Sequence, residues 1–191
     1  GPRINVCTNY NLKPINLAGL TATGGVLSLF DDSRTLFSYA NLNPYSIAPY
    51  PELRAVANGK VYRLKNNTNT WQTIKVNGWA NSGIYSAFIW VRSSSPHAVF
   101  RLGKEAKIKL DGEAFHNNNG NAYAKFTLEN VLVDSAAQIE IDVPAGETVN
   151  FIGNQLEAGS CSSSPIEAKM HPFQRMGFWL IQHRLNPMDY E

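Results

Sequence analysis

Charge is what this sequence has least of. Asp, Glu, Lys and Arg make up 17% of its 191 residues, against roughly 25% in an ordinary globular chain. The net charge is only +2, and the basic residues are scattered. A nucleic-acid partner, which needs a basic face or stripe, is not expected. Long apolar runs are missing as well. No stretch approaches the about 18 residues of a spanning helix, so no membrane insertion is expected, and no secretory signal is visible. Cysteine is nearly absent. Cys7 and Cys161 lie too far apart for a zinc pattern. They read as two separate small side chains, although spacing alone does not decide whether they pair. Catalytic signposts are missing too. Neither G-x-S-x-G nor a phosphate loop occurs. The histidines His97, His116, His171 and His183 are scattered and show no metal spacing.

What fills the gap is Gly, Asn, Ser and Thr, which implies many turns and a polar, weakly charged surface. The chain is 43% hydrophobic, enough for one domain with a real core. Its periodicity is two. Tyr85, Ala87, Ile89 and Val91 alternate with Ser86, Phe88, Trp90 and Arg92. Ala122, Ala124, Phe126 and Leu128 alternate with Tyr123, Lys125, Thr127 and Glu129, and Ile139, Ile141 and Val143 with Glu140 and Asp142. Shorter runs recur at Val61–Lys65, Trp71–Val76, Val99–Leu102, Ala106–Leu110 and Thr148–Glu157. Turn pairs separate them: Asn77-Gly78, Ser95-Pro96, Asp111-Gly112, Asn119-Gly120 and Pro144-Ala145-Gly146. This spacing predicts an all-β protein, an antiparallel β-sandwich of the jelly-roll kind. An irregular N-terminal region and a C-terminal appendage flank it. Gly1-Pro2 reads as the remnant of a cleaved tag on a piece of a longer protein. Residues 3–167 form the domain, and 168–191 a docking or oligomerisation segment.

The order of several blocks resembles a known family. "WQTIKVNGWANSGIYSAFIWVRSSS" is similar to the "Q-x-x-x-V … G-x-x-Y-x-x-S-x-Y-V-K" block of phage tail and virion modules. "NGNAYAKFTLENVLV" resembles their "G-x-W-Y-R-x-x-x-x-F" block, with Tyr123 where Trp is usual. "IEIDVPAGETVNFIGNQLEAGSCSSSPIE" resembles their ending, an apolar strand followed by Gln-Leu-Glu-x-Gly. "INVCTNYNL" is similar to their opening. Ala87 stands where the family has a larger apolar residue, and nothing after Glu167 finds a counterpart. The resemblance implies a lectin-type carbohydrate-binding jelly roll in a phage tail fibre or tailspike. It also implies an extracellular place on the virion, a homotrimer within a longer fibre protein, and a host cell-surface polysaccharide or glycan as partner. Folds of this type often hold a structural calcium, but the sequence marks no oxygen cage for one, and no other cofactor is expected.

Sugar rings stack their CH faces on flat aromatics, and their hydroxyls seek amide, carboxylate or guanidinium partners. If the family pattern turns Tyr85, Ala87, Ile89 and Val91 inward, then Phe88, Trp90 and Arg92 share the other face. They would form a stacking platform unless another segment covers them, and the C-terminal segment with Phe173, Phe178 and Trp179 is one candidate cover. Trp79, in the "VNGWANSG" turn, is a second stacking candidate. His116, Asn117, Asn118 and Asn119 form an amide-rich loop that could hydrogen-bond a sugar.

Glycan hydrolysis would instead need two carboxylates about 5–10 Å apart in a cleft. Asp31, Asp32, Asp111, Glu113, Glu140, Asp142 and Glu157 are available, yet no pair is marked. Asp31 and Asp32 read as solvated or turn-capping residues, and Glu140 and Asp142 as an ordinary solvent face. The expectation is a non-catalytic glycan-binding module. The alternatives are a structural assembly module and, third, an enzyme. Gln155, Leu156, Glu157 and Gly159 are read as structural: Leu156 in the core, with Gln155 and Glu157 satisfying backbone where a loop crosses or a sheet edge needs closing.

Overall fold

The computed structural model describes residues 3–8, 12–36, 57–110, 123–134 and 136–166. Within them lie β1 (Leu20–Ala22), β2 (Val26–Asp31), the single helical turn α1 (Ser33–Leu36), β3 (Lys60–Lys65), β4 (Gln72–Val76) and β5 (Gly83–Ser93). There follow β6 (Val99–Leu102), β7 (Ala106–Lys109), β8 (Ala124–Val133), β9 (Ile139–Val143) and β10 (Thr148–Ala158). Two five-stranded sheets result, in the orders β1-β4-β9-β6-β7 and β2-β3-β10-β5-β8. Every pairing is antiparallel. The protein is a β-sandwich, and from β3 onward the chain mostly alternates between the two sheets, as jelly rolls do.

Period two explains the layers. Side chains at every second position face one side of a strand. Tyr85, Ala87, Ile89 and Val91 of β5 therefore meet Ile139, Ile141 and Val143 of β9, with Phe100, Phe126 and Phe151 between the sheets. Each large side chain buried there contributes about 1.5–3 kcal/mol. β10 needs a correction to its phase. Its register with β5 slips between Ile152 and Gln155, where Gly153 takes φ 75°. That bulge lets Phe151 and Leu156 both enter the core, although an odd spacing would otherwise put them on opposite faces.

Residues 12–19 carry no regular structure, but residues 20–31 supply β1 and β2, one edge strand for each sheet. The alternation does not pick them out because edge strands here are short and half-buried. Leu12 and Leu36 then fold over the outer face of the second sheet. They join Val61, Trp90, Tyr123 and Ile152 in a second apolar cluster. This cover buries the inner strand β5 on both faces. The turns at Asp111-Gly112 and Asn119-Gly120, the tag remnant 1–2 and the appendage 168–191 lie outside the described residues. No described helix is long and apolar enough to cross a membrane.

Candidate functional site

Trp79 sits in the connection from β4 to β5, at one end of the sandwich. Four backbone contacts hold that connection. Asn77 N–H donates to the Gly19 carbonyl at 2.7 Å and the Asn77 carbonyl accepts from Thr8 N–H at 3.2 Å. Beyond the indole, Ala80 N–H donates to Ala137 at 2.7 Å, and the Ala80 carbonyl accepts from Ala136 at 2.8 Å. Asn81 N–H then donates to the Tyr85 hydroxyl at 3.1 Å. Gly78, at φ 114°, packs against the N-terminal segment so closely that a Cβ would run into the Val6 carbonyl. The backbone around Trp79 is thus pinned while its side chain remains 53% exposed. Gly78→Ala is expected to cost at least about 2 kcal/mol, from strained φ and the clash together, read as a lower denaturation midpoint.

The platform on β5 is corrected by the structure. Phe88 and Trp90 are 0% exposed. Their rings meet edge to face at 5.8 Å, and the Lys125 ammonium lies 4.3 Å from the Phe88 centroid and 5.1 Å from that of Trp90. Trp90 also packs with Leu12, Leu36, Tyr123 and Ile152. No ring face is left for a sugar. Arg92 donates to Asp32 Oδ2 at 3.2 Å, and the same oxygen accepts from the Tyr123 hydroxyl at 2.6 Å. Asp32 is therefore no solvated turn residue: it is 5% exposed and anchors α1 over the sheet. Asp31 does behave as a turn residue, accepting from Ser33 N–H at 3.1 Å and Ser33 Oγ at 2.6 Å. Burial, reinforced by the Asp32 charge, holds the Tyr123 phenol well above its usual pKa. The Tyr123 hydroxyl thus gives the aspartate a donor, a role that local sequence does not signal because the partners are distant in the chain. His116, Asn117, Asn118 and Asn119 lie outside the described residues.

The Gln-Leu-Glu stretch is a buried clamp. Leu156 is in the sandwich core. Gln155 and Glu157 point outward beneath residues 162–166, and Gln155 Nε2 donates to Glu157 Oε1 at 2.9 Å. Gln155 Oε1 accepts from Ile166 N–H at 2.6 Å. Glu157 accepts from Ser163 N–H at 2.6 Å, Ser163 Oγ at 2.8 Å and Arg3 at 3.3 Å. Burial pushes the Glu157 carboxyl up, but the Ser163 backbone and hydroxyl, Gln155 and Arg3 outweigh it and hold the pKa below the usual value. Gly159 ends the strand, its N–H donating to Ile84 at 2.9 Å and its carbonyl accepting from Ser86 Oγ at 2.8 Å. Asn5 completes the clamp from the N-terminal side, accepting from Leu156 N–H at 3.1 Å.

Both cysteines are free: Cys7 is buried and Cys161 exposed. Burial pushes the Cys7 thiol up to about 12. A thiol-reactive dye should therefore modify one cysteine in the folded protein and the second only in denaturant; rapid modification of both would contradict this packing. Among the described residues no group of three or more His, Cys, Asp or Glu could hold a metal ion. Glu140 and Asp142 are engaged by Arg101, at 3.0 Å and 2.7 Å, on the outer face of the first sheet.

No family model matches the sequence, and no curated protein is similar to it at a significant level. Several solved structures are similar in outline. A family 61 carbohydrate-binding module in complex with β-1,4-galactotriose aligns at TM-score 0.46 and 8% identity, over 80% of this chain and 97% of that one. A mutant of a family 29 carbohydrate-binding module aligns at 0.44 and 11% identity, over 86% and 98%. The enzymatically active domain of tailspike protein 4 of bacteriophage CBA120 aligns at 0.45 and 12% identity, over 80% of this chain and 21% of that one.

Proposed function

We propose that this chain is a non-catalytic glycan-binding module whose stacking element is Trp79. The observation that carries this reading is a half-exposed indole on a backbone that neighbouring segments fix from both sides. The backbone that carries this indole loses little freedom when a sugar ring stacks on it, so more of the contact energy remains as affinity. The exposed Asn81, two residues on, offers an amide to the hydroxyls of a stacked ring. His116, Asn117, Asn118 and Asn119 are retained as a second source of hydrogen bonds, on their chemistry alone. The order of the sequence blocks, ending in Gln-Leu-Glu-x-Gly, supports a place in a phage tail fibre or tailspike. There the ligand is host cell-surface glycan, and three copies of a weak site act together. Trp79→Ala should weaken binding about tenfold or more, since a central aromatic contact is worth about 2 kcal/mol. Isothermal titration against a panel of oligosaccharides is the check.

A second reading, an assembly module, is favoured by one observation. Ile84 and Leu132 are paired across β5 and β8, and are 40% and 70% exposed. Side-by-side apolar residues at a sheet edge suit a protein neighbour. Replacing both with serine, followed by sedimentation, separates the readings: lost self-association with intact glycan binding assigns this pair to assembly.

A further inference from the structure

The outer face of the second sheet carries a row of polar side chains. Register sets Ser28 opposite Arg63, Arg63 opposite Asn150, and Asn150 opposite Arg92. Their strand neighbours Leu29, Tyr62, Leu64, Val149, Phe151 and Val91 face the core, so the row faces away from it. Asp32, just before α1, closes the row, bonded to Arg92 and Tyr123, with Asn150 Nδ2 at 3.5 Å.

Among the described residues the charges on this face do not balance: three cations, Arg63, Arg92 and Lys125, meet one carboxylate, Asp32, and that carboxylate pairs with Arg92. Among the described residues no carboxylate is within ion-pair distance of Arg63 or of Lys125. Trp90 Nε1 is a further buried donor with no acceptor among the described residues. Arg63 is the best organised of these groups. Its Nε donates to Asn150 Oδ1 at 2.7 Å, and its guanidinium carbon lies 3.3 Å from the Phe30 ring centroid. An amide and an aromatic face thus fix the plane of the guanidinium without neutralising it. Its two terminal nitrogens have no acceptor among the described residues. Burial also lowers its pKa, partly offset by the charges of Asp32 and Tyr123. A half-buried, oriented and unneutralised guanidinium presents the planar fork that matches a carboxylate with two parallel hydrogen bonds.

We propose that Arg63 is the carboxylate-binding residue of a second ligand site, on the outer sheet face, that takes an acidic sugar of the hexuronate type. Asn150 and Phe30 are positioning residues for it, and Lys125 adds positive potential across the same face. That the ligand is a sugar rests on the glycan-binding reading above; that it carries a carboxylate rests on the geometry of Arg63 alone.

The experiment titrates isotope-labelled protein with trigalacturonate, with the neutral galacto-oligosaccharide of the same linkage, with acetate and with inorganic sulfate. The Arg63 Nε–Hε resonance is followed by NMR. Trigalacturonate is expected to shift that resonance and to bind at least about tenfold more tightly than the neutral sugar. Arg63→Gln, whose amide can still reach Asn150, and Arg63→Lys, which keeps the charge without the fork, should each lose that preference while unfolding at nearly the same denaturant concentration. Unchanged trigalacturonate affinity in both folded variants overturns the proposal. So does an equal response to sulfate, which would make the site one for any anion. If acetate shifts Arg63 while neither sugar binds, the carboxylate site stands and the glycan reading falls. If the neutral sugar binds through Trp79 and trigalacturonate leaves Arg63 unmoved, the glycan reading stands and this site does not exist.

Discussion

Trp90→Ala should destabilise the protein by about 3–5 kcal/mol, the range for truncating a fully buried large aromatic. Trp90 is among the largest fully buried side chains. It joins Leu12 and Leu36 to β3 through Val61, to the entry of β8 through Tyr123 and to β10 through Ile152, and Phe88 packs against its edge. Removing the indole leaves a cavity that α1 and residues near Leu12 cannot fill without leaving the sheet. At about 2–4 °C per kcal/mol for a domain of this size, the melting temperature should fall by about 10 °C. A stacking platform predicts the reverse pattern: a surface truncation within about 0.5 kcal/mol of wild type, with ligand lost. Unfolding curves of Trp90→Ala and Trp90→Phe distinguish them, the phenylalanine recovering part of the loss if packing is the cause.

Glu157→Ala should cost about 2–4 kcal/mol. Truncation strands the Ser163 N–H, the Ser163 hydroxyl and one Gln155 donor together, and each hydrogen bond to a charged group is worth about 1.5–3 kcal/mol before relaxation. The loss should be local in character, because residues 162–166 are what the clamp holds. Hydrogen exchange at Ser163 and Ile166 N–H, donors to Glu157 and Gln155, should accelerate more than exchange in β5. The pH dependence follows from the lowered pKa. A carboxyl whose folded pKa lies below its unfolded value stabilises the fold fully above the unfolded value. That stability is lost as pH falls through the folded value. The stability difference between wild type and Glu157→Gln should therefore be largest near neutral pH and shrink in acid. A difference that grows on acidification would mean that the carboxyl is protonated in the folded state.

The sandwich was legible because its inner strands alternate. β6 and β9 fall where the runs Val99–Leu102 and Ile139–Val143 place them, and β5, Gly83–Ser93, contains the whole alternation from Tyr85 to Arg92. The turn glycines, above all Gly78, mark the breaks. The edge strands β1 and β2 were not legible, since three to six residues that are half exposed leave no period to count. The Gln-Leu-Glu clamp could be read as structural because a buried carboxylate beside an amide needs backbone partners. The β5 platform misled for a physical reason. Period two tells which face Phe88 and Trp90 share, but not whether residues more than fifty positions away, Leu12 and Leu36, return to cover it. Asp32 misled in the same way, its carboxylate being set by Arg92 and Tyr123. Arg63 carried no local signal at all, because its organisation comes from Asn150 and Phe30 across two strand pairings.

The proposed glycan binding rests on a half-exposed Trp79 carried by a pinned backbone. The most direct test is titration of wild type and Trp79→Ala with one oligosaccharide panel, alongside the unfolding curve of each. Wild type should bind at least one glycan, Trp79→Ala should lose about tenfold or more in affinity, and their unfolding free energies should agree within about 0.5 kcal/mol. Equal affinity in the two proteins, or no glycan bound by wild type at millimolar concentration, would contradict this reading.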